Sequence, residues 1–62
     1  MSKFTNAEKR KEAQREVDYR KYVYPRRVMD KKMTQQQADR QTAIMQEIAD
    51  EYDTLAQKEW LL

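Results

Sequence analysis

The chain has 62 residues, 39% of them hydrophobic and 39% charged, with a net charge of +2 and a mean hydropathy of -1.26. Such a length holds one small domain, which buries only about 60% of its unfolded surface, so extra stability has to come from self-association or from a partner. Cys, His and Gly are all absent, which excludes disulfide staples, histidine-based nucleophilic catalysis, the usual structural zinc sites and glycine-rich phosphate loops.

Thr5-Asn6-Ala7-Glu8 is a capping box, with the Thr5 hydroxyl accepting from an orphan N–H and Glu8 reaching back to the cap. A first helix is therefore expected from about Asn6. Its early turns are almost wholly polar, and are expected to project into solvent or fray. Glu12 with Arg15 and Glu16 with Arg20 stand at spacings that support a helix, whereas Glu8 and Glu12 oppose each other. Further on, Ala13, Val17, Tyr24 and Val28 form one stripe, with Tyr22, Val23 and Met29 beside it. Pro25 lacks a backbone donor and disfavours helix at Tyr24, so the expectation is a first helix of about 6–31, kinked or interrupted near 24–25.

Thr34-Gln35-Gln36-Gln37 repeats the capping signature, with Met33 ahead of the cap as a hydrophobic staple. This sets a turn at about 30–33, short enough to make the helices antiparallel neighbours. Helix two is expected over about 35–60. Ala38, Gln41, Met45, Ile48, Tyr52, Leu55 and Glu59 alternate by three and four residues, flanked by Ile44, Ala49 and Ala56. On this stripe, Asp in place of Ile48 is expected to unfold or dissociate the protein by burying an unpaired charge. The terminal Trp60-Leu61-Leu62 is apolar and is expected either to dock on something or to be lost to disorder.

The fold class that follows is all-α: an antiparallel two-helix hairpin forming a single domain over 1–62, with dimerisation into a four-helix bundle as the simplest way to complete its core. Charge divides between the halves. Residues 1–33 carry 11 Lys+Arg and 5 Asp+Glu, and residues 34–62 carry 2 and 6, so folding one half onto the other cancels much of the field.

No enzymatic role is expected, nor any cofactor. The only Ser is Ser2, and the carboxylates Glu47, Asp50, Glu51 and Asp53 read as a solvated acidic helix face rather than a metal or acid/base site. The stretch Tyr19 to Arg27 carries the binding signals. Tyr19, Tyr22, Arg26, Arg27, Met45, Tyr52 and Trp60 are candidates for contact with a protein partner, with Trp60 in the role of an anchor. The alternative is nucleic acid, with Arg20, Lys21, Arg26, Arg27, Lys31 and Lys32 on phosphates and tyrosines stacked on bases. Packing is preferred over base stacking for the tyrosines, because Tyr24 shares its stripe with Val17 and Val28. A self-assembling structural element is the third reading.

The strings Val23-Tyr24-Pro25-Arg26, Met33-Thr34, Ala38-Asp39-Arg40 and Ile44 to Tyr52 together resemble small, functionally unassigned proteins encoded by tailed phages and prophages, over residues 14–53. That group commonly carries a glycine in the turn before the Met, where this chain has Asp30-Lys31-Lys32. The resemblance implies a phage-type accessory protein acting in a bacterial cytoplasm, on a host protein or on itself. It assigns no functional residue. MSKFTNAEKR has no apolar run of the signal-peptide kind, and no stretch reaches the roughly 18 apolar residues of a membrane span, so no membrane partner is expected.

Overall fold

The computed structural model describes residues 3–61, with side chains over residues 3–59; the side chains of Trp60, Leu61 and Leu62 lie outside them. Two helices, α1 (Asn6–Met29) and α2 (Gln35–Leu61), lie against each other as an antiparallel hairpin. The molecule is a rod with extents of 47 × 18 × 17 Å.

Both capping boxes form. The Glu8 N–H donates to Thr5 Oγ1 at 3.1 Å and the Thr5 N–H to Glu8 Oε1 at 3.2 Å. At α2, the Gln37 N–H donates to Thr34 Oγ1 at 3.1 Å and the Thr34 N–H to Gln37 Oε1 at 3.0 Å. Each box satisfies donors that the first helical turn leaves unpaired. The connection is set from the other side by a Schellman closure. The Lys32 N–H donates to the Arg27 carbonyl at 2.9 Å and the Lys31 N–H to the Val28 carbonyl at 3.1 Å. This geometry requires a left-handed residue, and Lys31 takes it at φ 59.

α1 runs through Pro25 as one element and ends at Met29, so of the expected kink or interruption near 24–25 the interruption does not occur, and the helix stops two residues short of Lys31. Proline removes one helical hydrogen bond, that to the Lys21 carbonyl. Tyr24, directly before it, is buried, and its hydroxyl donates to Gln41 Oε1 at 3.3 Å. Packing on α2 thus holds the residue that proline would push out of the helical region.

The early turns of α1 do not project into solvent either. Asn6 donates to Glu59 Oε1 at 2.6 Å, Arg10 pairs with Asp53 at 3.6 Å, and the Lys9 ammonium stands 5.7 Å from the centre of the Tyr52 ring. These contacts tie the polar start of α1 to the end of α2. Within α1, Glu12–Arg15 and Glu16–Arg20 form the ion pairs their spacing predicted, at 3.6 and 3.0 Å.

The seam is made of small residues. Ala13 and Val17 from α1 pack with Ala49 from α2, with Met45 against them; Tyr24, Ala38 and Ala56 are buried too, and Val17 is completely buried. The stripe predicted for α2 is therefore rotated. Ala38, Met45 and Tyr52 belong to the buried side as expected, but Ile48 and Leu55 are 36% and 40% exposed, Gln41 is exposed, and Ala49 and Ala56 take the inner positions. Alanines let two helix backbones approach closely along their length, and at such spacing a leucine or isoleucine has no room.

Two outcomes test this geometry by thermal unfolding followed by circular dichroism. Ala49→Leu should cost roughly 1–3 kcal/mol by overpacking the seam. Lys31→Gly should instead stabilise by about 0.5–1 kcal/mol, because glycine takes a left-handed conformation without the Cβ clash.

Candidate interaction surfaces

With the seam filled, large apolar and aromatic side chains remain outside. On α1, Tyr19, Tyr22, Arg26 and Met29 succeed one another by three, four and three residues and share the face turned away from α2. Tyr22 is 66% exposed and Met29 82%. The Arg26 guanidinium lies 4.7 Å from the centre of the Tyr22 ring and donates to the Tyr22 hydroxyl at 2.9 Å. Cation–π stacking and a hydrogen bond thus hold two long side chains together on the surface, which lowers the ordering cost of a later contact.

The same end of the hairpin is basic. Among the described residues, Lys21, Arg26, Arg27, Lys31 and Lys32 have no carboxylate within ion-pairing distance. Cancellation between the basic and acidic halves is concentrated at the other end, where Arg10 meets Asp53. Arg27 lies over the Tyr24 ring at 5.6 Å, on the outer side of the seam.

The structure divides the candidates found in the sequence. Tyr19, Tyr22 and Arg26 come together on one exposed face, with Arg27 on the adjacent flank. Met45 and Tyr52 do not join them; both are partly buried beside the seam and contribute to the fold. The Trp60 side chain lies outside the described residues. Of the six cations proposed for phosphate contact, Arg20 is committed internally. Its guanidinium donates to Glu16 at 3.0 Å and to the Gln41 backbone carbonyl at 2.8 Å, and it is mostly covered.

Two features were missed. Met29 read as a residue beside the core, yet it extends the tyrosine face; its spacing from Tyr22 and Arg26 carried that signal. Ile44, Ile48 and Leu55 form a second exposed apolar stripe on α2. A shallow groove on the hairpin is lined by Lys21, Pro25, Asp39, Thr42 and Gln46. No polar side-chain atom buried without a partner points into it or elsewhere among the described residues.

Two of the acidic candidates on α2 are engaged in hydrogen bonds along their own helix. Asp50 accepts from Gln46 at 3.0 Å and Asp53 from Gln57 at 3.0 Å. Among the described residues no group of three or more acidic side chains is arranged to hold a metal ion, and no helix is long and apolar enough to cross a membrane.

If the tyrosine face is surface and Tyr24 is seam, truncations should separate them. Tyr24→Ala should cost roughly 3–5 kcal/mol as a buried aromatic, whereas Tyr22→Ala and Arg26→Ala should stay within about 0.5 kcal/mol of the parent. Urea titrations of the three variants read this directly.

No family model matches the chain, and neither the curated proteins nor the solved structures contain a match to it.

Proposed function

We propose that this chain is a non-enzymatic, phage-type accessory protein that binds a bacterial host protein or complex in the cytoplasm and modulates it through a helical surface. The observation that carries the reading is the face of Tyr19, Tyr22, Arg26 and Met29, which remains exposed after the hairpin has closed. Tyrosine and arginine are the residue types that most often anchor protein interfaces, and the Tyr22–Arg26 stack is already organised. Association of two hairpins into a four-helix bundle belongs to the same reading, because a two-helix protein covers only one side of each helix. The phage assignment is supported by the sequence resemblance over residues 14–53.

A second reading has its own support. Lys21, Arg26, Arg27, Lys31 and Lys32 at the turn end, with no carboxylate in ion-pairing distance and next to exposed tyrosines, suit a single-stranded nucleic acid whose phosphates meet the cations while bases stack. Protein binding is preferred because Tyr22 stacks with Arg26, so its exposed ring face is already shared with a cation.

The two readings separate in one comparison. The tagged protein should capture a bacterial protein from lysate in a fixed ratio at moderate salt, the Tyr22→Ala/Arg26→Ala double variant should lose it, and Lys31→Ala/Lys32→Ala should keep it. Nuclease-sensitive capture that disappears steeply with added salt and with the Lys31→Ala/Lys32→Ala change would replace the first reading by the second.

A further inference from the structure

We infer that Arg26 and Arg27 form a paired receptor for the carboxylates of an acidic protein segment, which lies over the outer face of α1 beside Met29. The inference rests on the protein-binding reading above and names the chemistry of that partner.

An arginine laid against an aromatic ring holds its planar guanidinium in a set direction, with the N–H groups along its edge open to two parallel bonds with one carboxylate. Three arginines of this chain stand over tyrosines. The Arg26 guanidinium is 4.7 Å from the centre of the Tyr22 ring, while Arg20 and Arg27 are 5.8 and 5.6 Å from the centre of the Tyr24 ring.

Arg20 shows what such a group does where acceptors are at hand. It donates to Glu16 at 3.0 Å and to the Gln41 carbonyl at 2.8 Å, and only 23% of its side chain is exposed. Arg26 and Arg27 have the ring without the anion. Arg26 donates to the neutral Tyr22 hydroxyl at 2.9 Å, and neither arginine has a carboxylate within ion-pairing distance. Asp30, the acidic residue of the turn, follows them by four and three residues and pairs with neither. Both arginines are exposed. Two stacked guanidiniums are thus left without an anion, at adjacent positions about 100° apart around α1.

Two observations choose carboxylates on a protein over the phosphates of a nucleic acid. The Tyr22 ring already carries Arg26, so the stacking platform that a base would use is shared with a cation. Met29, three residues beyond Arg26 on the same face, is 82% exposed. A partner with an apolar side chain between its carboxylates covers Met29 and fills the forks together, whereas a sugar–phosphate backbone leaves the methionine in water. Lys21, Lys31 and Lys32 surround the pair and add the positive potential that draws an acidic segment in.

The test uses a helical peptide of Glu, Ala and Leu, the same peptide with Gln for Glu, and single-stranded oligothymidylate of equal charge. In the 15N-labelled chain, the Nε–H resonances of Arg26 and Arg27 should shift with the Glu peptide and stay in place with the Gln peptide. Arg20, already filled, should not respond to either. Arg26→Lys/Arg27→Lys keeps the charge and removes the forks, so at an unchanged melting temperature it should weaken the Glu peptide roughly tenfold or more, and Lys31→Ala/Lys32→Ala no more than about threefold. Glu and Gln peptides bound alike, or a lysine variant that binds as the parent does, would overturn the receptor. Oligothymidylate bound more tightly than the Glu peptide, and lost on the same Arg→Lys change, would put phosphate in place of carboxylate and take the protein-binding reading with it. A bacterial protein held through Tyr22 and Arg26 that the Glu peptide fails to displace would overturn the acidic partner alone and leave that reading standing.

Discussion

The close approach of two helices along a seam of alanines and one valine is the constraint from which the rest of this molecule follows. Ala13, Val17, Ala38, Ala49 and Ala56 let the backbones draw together, and Tyr24 fills the turn end of the seam. Small side chains bury little apolar area each, at about 25 cal/mol per Å². The hairpin carries further ties at its ends: Asn6 to Glu59 and Arg10 to Asp53 at one, Tyr24 to Gln41 and the Schellman turn at the other. The same economy of volume leaves the larger residues outside. Ile44, Ile48, Leu55, Tyr19, Tyr22 and Met29 are on the surface because the seam has no space for them.

How legible was this in the sequence? The helices were, because their signals are local: two capping boxes fixed the starts, and ion pairs at three and four residues supported α1. The face of α2 was harder. Periodicity gives a stripe but not its centre, and hydropathy draws the centre toward the largest apolar residues, Ile48 and Leu55. Interhelical spacing draws it instead toward the smallest, Ala49 and Ala56, and in a two-helix protein spacing wins. Pro25 leaves α1 uninterrupted for a related reason. Its local cost is one hydrogen bond close to the end of α1, and the packing of Tyr24 across the seam outweighs it.

The candidate surface was legible as composition but not as geometry. Tyr19 to Arg27 is plainly unusual, yet only the phase of α1 sorts Tyr24 inward and Tyr22 outward, two residues apart and so on opposing faces. The basic character of the turn end also needed the fold. Counting charge by halves suggested cancellation, while the antiparallel register brings Asp53 to Arg10 and leaves Lys21, Lys31 and Lys32 without a carboxylate within ion-pairing distance. Arg20, counted with them in the sequence, faces the Gln41 carbonyl.

Separation of surfaces has a functional consequence that size alone would not suggest. A chain this short can rarely afford both a core and a binding site made of the same residues, since a partner must then compete with folding. Here the seam uses small residues, the stripe of α2 uses aliphatic ones, and the outer face of α1 uses tyrosine and arginine. Each set is lost or changed without the others.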